Sequence, residues 1–199
     1  MDAIVLRFLP ALVFFGYFAH RAFYFRKVRH GSGSVAQQPR EPAAALGLAL
    51  AILTLAANIV YAAAPDRIRW ASLPLPAWLR WTGLALALAA FALLEWCHAA
   101  LGQNWSGRVQ VLKEHELVVR GPYRWVRHPM YTAGLTASVS ALLLSANWLV
   151  GGSWLAMHGV QFAGRIPLEE RLMVQQFGDA YVQYKRTTGR LLPRLVHRA

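Results

Sequence analysis

The run Leu79–Leu101, LRWTGLALALAAFALLEWCHAAL, decides the fold class of this chain. A bilayer core about 30 Å thick requires roughly 20 apolar residues in a helix, and this run supplies them. Two earlier runs, Ile4–Phe25 and Ala43–Ala64, meet the same requirement. The sequence therefore predicts that at least its first half is built from membrane-spanning helices.

Two further apolar runs follow a polar segment, namely Tyr131–Val150 and Ser153 to about Ile166. Gly151-Gly152 lies between them, so we expect a helical hairpin turned at these glycines. From Leu168 to Tyr184 the apolar residues recur at near-helical spacing, which predicts a helix that leaves the membrane, breaks at Gly178 and continues amphipathically. The fold class is thus an all-α integral membrane protein with about five transmembrane helices and a cytoplasmic C-terminal helical region.

Composition agrees with a membrane protein and argues against other classes. Of 199 residues, 56% are hydrophobic and only 15% are charged, whereas charged residues make up about a quarter of a soluble domain. The net charge of +12 comes from residues between and after the apolar runs, as expected beside anionic lipid, so we expect no nucleic-acid partner. Cys97 is the single cysteine, which excludes a disulfide framework. No metal motif and no Rossmann fingerprint occurs, so we expect no metal site.

Orientation follows from the positive-inside rule, which counts Lys and Arg in the connections. Sixteen of the 21 follow the first, third and fifth apolar runs, whereas the opposite side has Arg67, Arg69 and Arg80, with Arg7 near the start of the first run. The rule places the N-terminus outside and the C-terminus in the cytoplasm. The Ala, Arg and Leu bias indicates a bacterial inner membrane, and the basic face predicts anionic lipid as a partner.

The segment Arg120–Tyr131, RGPYRWVRHPMY, concentrates polar chemistry on the cytoplasmic side. Proline is favoured at the first helical position, so Pro129 places His128 beside a helix N-terminus that attracts an anion such as a carboxylate. Arginines and aromatics in this segment are equally typical of an interfacial belt, with Tyr123 and Trp125 as members. The local pattern leaves both interpretations open.

Other ionisable residues also have two interpretations. Glu169 and Glu170 are either a solvated, ion-paired helix start or a site in which one carboxylate holds a cationic amino group while Arg165, four residues earlier, holds an anion. Glu95 and His98, one turn apart in the third run, either mark a functional site or lie near the solvated interface. His158 and Asn58 are single polar residues in apolar helices and are predicted to form interhelical hydrogen bonds.

Two segments together resemble the isoprenylcysteine carboxyl methyltransferase family and its bacterial relatives, a branch that includes phospholipid N-methyltransferases. They are LGQNWSGRVQVLKEHELVVRGPYRWVRHPMYTAGL, from Leu101, and RIPLEERLMVQQFGDAYVQYKRTTGRLLPRL, which ends at Leu195. The paired glutamates and the FGxxYxxY tail follow the GPYxxxRHPMY block in the family's order and spacing. The resemblance implies N-terminal transmembrane helices in residues 1–101 and a catalytic region with a transmembrane hairpin and a cytoplasmic cofactor pocket in residues 102–199.

The resemblance further implies an S-adenosyl-L-methionine-dependent methyltransferase. Glu169 and Arg165 would be catalytic, and Arg165 would face a lipophilic methyl acceptor that enters from the bilayer. The cofactor would be bound by Gln110, His115, Glu116, Leu117, Val118, Tyr123, His128, Pro129, Met130, Tyr131 and Glu169. The methionine moiety of the cofactor carries a carboxylate, which suits His128 and the helix N-terminus, and an ammonium, which suits Glu169.

The acceptor class stays open in the sequence. An isoprenylcysteine-like carboxylate is the leading interpretation, and phospholipid amines or small thiols are alternatives. A carboxylate is already ionised and needs no general base, whereas an amine must lose a proton, for which Glu170 or His128 would be the base. From another class, an NADPH-dependent sterol-type double-bond reductase remains possible, although such enzymes are expected to have more helices.

Overall fold

The computed structural model describes residues 2–29, 35–37, 44–102, 105, 111–112 and 116–194, and most of them are helical. The helices are α1 Asp2–Arg29, α2 Ala44–Ala63, α3 Ala77–Leu101, α4 Pro129–Ser145, α5 Trp148–Phe177 and α6 Asp179–Thr187. Short 3-10 helices cover Pro65–Ala71 and Gly121–Arg124. Two short strands, β1 Val35–Gln37 and β2 Val111–Leu112, pair antiparallel. The described part is therefore all-helical apart from one small strand pair, as predicted for the class.

The five long helices alternate in direction, which their end contacts establish. At one end, Arg7 near the start of α1 donates to the carbonyl oxygens of Ala62 and Ala63, the last residues of α2. At this same end Arg80, in the first turn of α3, donates to Leu144 O of α4 at 2.7 Å. Carbonyls at a helix C-terminus lack intrahelical partners and favour a cation, so these arginines stabilise the ends that they cap.

The core is centred on α4, whose small residues allow neighbouring helices to approach closely. Ala133, Ala137 and Ala141 are at most 1% exposed, and large side chains from other helices, including Trp154 and Leu94, pack around them. In membrane proteins, small residues at helix interfaces permit such close packing. The helix that begins at the predicted site is thus held on several sides.

Three helical segments are long and apolar enough to cross a membrane, namely Ile4–Lys27, Ala44–Ala63 and Ala77–Leu101. They correspond to the first three predicted spans. The fourth and fifth predicted spans form α4 and α5, and neither meets these limits of length and hydropathy. α4 has only 17 residues and lies at the bundle centre, where small and hydroxyl residues replace the large apolar ones that face lipid.

The predicted turn of the α4–α5 hairpin is wrong in position. The helices are joined at Ala146-Asn147, where Ala146 has φ +46° and the Asn147 side chain accepts hydrogen bonds from Leu149 N and Val150 N. An asparagine N-cap supplies an acceptor for the unpaired N–H groups of the first turn. Gly151 instead lies inside α5, where a Cβ atom would come within 2.3 Å of Leu142 Cβ. Gly151 therefore allows α5 to pack closely against α4, and it does not form the turn.

The predicted break at Gly178 between two C-terminal helices is confirmed. α5 continues through Pro167, ends at Phe177, and is followed by Gly178 with φ +52° and then by α6. Glycine is favoured in this left-handed region because it has no Cβ. Ser138 of α4 and His158 of α5 form an interhelical hydrogen bond of 2.8 Å, as expected. The expectation for Asn58 is wrong, because its amide donates to Thr54 O in its own helix.

Candidate active site at the amino end of α4

His128 lies between the two glutamates of α5. It is 8% exposed, and its Nδ1 is 3.5 Å from Glu169 Oε2 while its Nε2 is 3.4 Å from Glu170 Oε1. Pro129 begins α4 as predicted, and His128 is its N-cap residue. The chain turns sharply into the helix at this point, so the imidazole is directed across to α5 and not along the α4 surface. The predicted site residues His128 and Glu169 are therefore brought together.

Tyr131 completes this group one turn into α4. Its hydroxyl donates to Glu169 Oε1, and its ring is parallel to that of His128 at 5.5 Å and stacks on Phe162 of α5 at 4.3 Å. The Glu169 side chain is 25% exposed, whereas Tyr131 is buried. A carboxylate has about four lone-pair positions. Glu169 therefore keeps capacity to accept a further donor from a ligand.

Glu170, the next residue, has a different environment. Its side chain is only 5% exposed and is surrounded by cations: Arg127 Nη2 at 3.0 Å, Lys185 Nζ at 3.0 Å and Arg190 Nη2 at 3.3 Å. Burial would raise the pKa of Glu170, but hydrogen bonds from His128, Lys185 and Arg127 outweigh burial and hold that pKa well below its usual range. Glu170 therefore stays ionised.

The segment after α6 pairs with the residues that precede α4. Arg127 N donates to Gly189 O at 2.8 Å and His128 N donates to Arg190 O at 3.0 Å. Thr132 Oγ1 donates to Leu191 O at 2.6 Å. The main-chain donor of His128 is thus already occupied, so an anion at this helix end would meet fewer free N–H groups than the sequence alone predicted.

Tyr123 belongs to an apolar cluster near the site. It is buried with Val118, Cys97 and the partly buried Met130 in one apolar cluster, so α3, the segment before α4 and α4 itself meet there. Burial raises the pKa of Tyr123 well above its ordinary value, with a contribution from the charge of Glu169. Tyr123 therefore stays neutral and serves as an apolar ring with one hydroxyl.

The remaining predicted site residues are distributed as follows. Glu116 is exposed and Leu117 is half-buried, directly before Val118. Arg165 is half-buried on α5, one turn before Glu169, since the helix continues through Pro167. Gln110 and His115 lie outside the described residues. Glu95 and His98 form a separate group with α1, in which Tyr24 donates to Glu95 at 2.7 Å and stacks on His98 at 3.6 Å.

Sequence reasoning missed Arg127, Lys185 and Arg190 as partners of the site. All three were counted only as cytoplasmic charges. The available signal was Arg127 next to His128, together with a basic tail that follows an acidic pair, but that pattern is also typical of any basic membrane face. Only the fold shows that these cations converge on one carboxylate.

His128 predicts a pH dependence of stability. Burial lowers the pKa of His128, but hydrogen bonds to Glu169 and Glu170 outweigh it and raise the pKa above its ordinary value of about 6.5. The stabilisation is therefore complete below about pH 6.5 and is lost as the pH rises through the folded-state pKa. We expect the unfolding temperature in detergent to fall as the pH rises from about 6.5 through the folded-state pKa of His128, and to fall less steeply in His128→Asn. Equal slopes in both proteins would contradict the prediction.

Comparisons with known proteins point to one family. A model of the isoprenylcysteine carboxyl methyltransferase family matches residues 83–175. Human protein-S-isoprenylcysteine O-methyltransferase is 30% identical over 130 residues, covering 64% of this chain and 46% of the relative. The Arabidopsis thaliana protein-S-isoprenylcysteine O-methyltransferase B is 29% identical over 109 residues, covering 54% and 55%. The chain spans about half the length of these curated relatives.

A solved structure supports the same relationship. It is of the eukaryotic intramembrane Ras methyltransferase, an isoprenylcysteine carboxyl methyltransferase; it superposes with a TM-score of 0.55 at 25% identity and covers 76% of this chain and 50% of that one. The helical bundle, its candidate spans and the polar cluster at one end define a helical integral membrane protein. The family model, the named relatives and this solved structure all match the isoprenylcysteine carboxyl methyltransferase family, which supports the resemblance seen in the two motifs.

Proposed function

We propose that this chain is an S-adenosyl-L-methionine-dependent membrane methyltransferase that acts on the carboxylate of an isoprenylcysteine-like or other lipophilic acceptor. One observation carries the proposal: in a chain similar to this family, Glu169 lies partly exposed against His128 and Tyr131 at one end of the bundle. The relatives named above are protein-S-isoprenylcysteine O-methyltransferases, which supports the reaction class.

The side chains around His128 fit the methionine moiety of this cofactor. Glu169 has free acceptor capacity for an ammonium, and we propose that His128, which lies beside Glu169 and whose pKa is raised, contacts the carboxylate. Tyr123, Val118 and Met130 provide an apolar surface beside them, and we propose that Gln110, His115, Glu116, Leu117, Pro129 and Tyr131 complete the donor site. When bound, the cofactor supplies a methyl group on a sulfonium for in-line transfer to an oxygen, leaving the thioether and a methyl ester.

The charges around the site favour a carboxylate acceptor over an amine. An amine requires a general base, and the two candidates were Glu170 and His128. Glu170 is buried among cations that hold its pKa low, so it is a poor proton acceptor, and both imidazole nitrogens of His128 lie against glutamate oxygens. A carboxylate needs only to be oriented, and we propose that Arg165, one turn before Glu169 on α5, does this.

We also propose the orientation that the charge count predicts, with the site in the cytoplasm of a bacterium and anionic lipid beside it. Exposed tryptophans lie at both ends of the bundle: Trp96 packs on Trp125 at the site end, and Trp70 packs on Trp148 at the other. Arg124 stacks on Trp125 at 3.8 Å. Aromatic belts of this kind are typical of membrane interfaces, and they support two boundaries with the site at one of them.

The proposal is tested by methyl transfer with defined acceptors. Purified protein with radiolabelled S-adenosylmethionine is expected to label an S-prenylcysteine carboxylate, and mild alkali should release the label as methanol, because an ester is hydrolysed and an N-methyl group is not. Phosphatidylethanolamine is the matched lipid with an amine acceptor. Alkali-stable label in that lipid would reject the carboxylate assignment while keeping the methyl donor, and NADPH binding without S-adenosylhomocysteine binding would reject both.

A further inference from the structure

Glu170 joins three separate segments of the chain. Arg127 precedes α4, Lys185 is in α6 and Arg190 is in the segment after it, and all three contact the same carboxylate. A buried carboxylate is costly unless it is paired, and removing one partner from a buried pair is strongly destabilising. The position of Glu170 therefore makes the docking of the C-terminal segment depend on its charge.

The docked segment, residues 179–191, covers the entry into α4. Tyr181 is 3% exposed, and Tyr184 Oη donates to Tyr123 O at 2.5 Å. The Arg127 guanidinium also donates to the carbonyl oxygens of Lys185 and Thr188. Arg127 thus links Glu170 to the main chain of this segment, while the adjacent His128 N–H bonds Arg190 O.

Glu169 and Glu170 differ in these contacts. Among the described residues, Glu169 contacts Tyr131 and His128 and forms no ion pair with a cation of residues 179–191. Glu170 contacts His128 through the other imidazole nitrogen and takes the three cations. Two adjacent carboxylates therefore hold one imidazole from both sides, and only one of them is tied to the C-terminal segment.

We propose that Glu170 is a positioning residue that clamps residues 179–191 onto the amino end of α4 and thereby orients His128 for the methyl donor. It acts through Arg127, Lys185, Arg190 and His128 and not by contact with the donor. The effect on the donor rests on the proposed function, whereas the clamp does not. Three measurements on the intact 199-residue chain separate the effect on the donor from the clamp.

The test compares Glu170→Gln with Glu169→Gln, since both remove one charge and preserve shape. Amide hydrogen exchange in detergent reports the docking of residues 179–191, and calorimetry with S-adenosylhomocysteine reports donor affinity. For Glu170→Gln we expect exchange in this segment to accelerate roughly 10-fold or more and affinity to fall by a similar factor. For Glu169→Gln we expect affinity to be lost with exchange in the segment unchanged. Arg171→Gln, an exposed neighbouring charge with no described contact to Glu170, is the control and should change neither.

The pH profile distinguishes positioning from general loss of structure. Without the Glu170 carboxylate, His128 loses one of its two acceptors, so the pH at which donor binding weakens should move down in Glu170→Gln. Glu170→Asp, which keeps the charge, should restore part of the affinity and part of the profile. An unmoved profile, or weaker binding with unchanged exchange, would overturn the proposal, because the second result means that Glu170 contacts the donor directly.

A milder variant covers the case in which Glu170→Gln does not fold. Lys185→Met with Arg190→Gln removes the two cations of the C-terminal segment and leaves Arg127 on Glu170. Faster exchange of residues 179–191 supports the clamp, and unchanged exchange rejects it. If the wild-type protein binds no S-adenosylhomocysteine, the proposed function fails, while the exchange comparison still decides the clamp.

Discussion

Replacement of Glu169 by alanine is expected to weaken binding of S-adenosylhomocysteine by at least about 30-fold. Removing one member of a buried, hydrogen-bonded charge pair costs about 2–5 kcal/mol, and 1.4 kcal/mol is tenfold in affinity. Glu169 is the partly exposed carboxylate of the site and is paired with His128 and Tyr131. Calorimetry on purified protein measures the effect, and His128→Ala should lower the affinity in the same direction.

The matched control for this prediction is Asp66→Ala. Asp66 is an exposed carboxylate in the 3-10 helix Pro65–Ala71, which lies at the opposite end of the bundle, where Asn147 Nδ2 donates to Ile68 O. Its removal changes the net charge by the same amount as the removal of Glu169 and should leave the affinity unchanged. Equal affinities in wild type and Glu169→Ala would remove Glu169 from the donor site and with it the main support for the proposed function.

Gly151→Ala is expected to lower the free energy of unfolding by up to about 2 kcal/mol. The added Cβ would lie 2.4 Å from Leu142 Cα, so the backbones of α4 and α5 would have to separate. Inserting a carbon into a packed interior costs about 1–3 kcal/mol, and here the atom that must move belongs to the backbone. Alanine has a higher helix propensity than glycine by about 1 kcal/mol, which offsets part of this cost. Thermal unfolding in detergent measures the difference.

Gly152→Ala is the control for Gly151→Ala. It makes the same substitution one residue later in the same helix, where a Cβ meets no atom within 4 Å. Helix propensity alone then applies, and the unfolding temperature should stay the same or rise. Equal losses in the two variants would show that a glycine is required at both positions for another reason, such as the hairpin turn that the sequence suggested.

The different surroundings of the two glutamates are the basis for proposing a carboxylate acceptor. With Glu170 among cations and His128 between two carboxylates, the described groups around the site hold and orient charges and are poorly suited to removing a proton. That environment agrees with transfer to an already ionised oxygen. We therefore expect donor affinity to depend most strongly on Glu169, because its carboxylate is the one with capacity left for a ligand.

Much of the architecture was readable from the sequence because it depends on local physics. Apolar runs of sufficient length predicted the first three helices, Pro129 predicted the start of α4, and Gly178 predicted the break before α6. The family motifs pointed to His128 and Glu169 as one site, and the structure brings these two residues together. The roles given to Gln110, His115 and the other donor-site residues stay predictions.

Other features depended on which residues meet across the bundle, and these only the tertiary structure decided. A glycine pair between two apolar runs is typical of a turn, yet Gly151 is needed for close contact with Leu142 and Asn147 forms the cap. Two adjacent glutamates look alike in sequence, yet the helix rotates one toward His128 and Tyr131 and the other also toward the cations of Arg127, Lys185 and Arg190. Sequence therefore determined the helices and the candidate site residues, because propensity and hydrophobic length act locally, whereas burial and charge pairing arise only when distant segments pack.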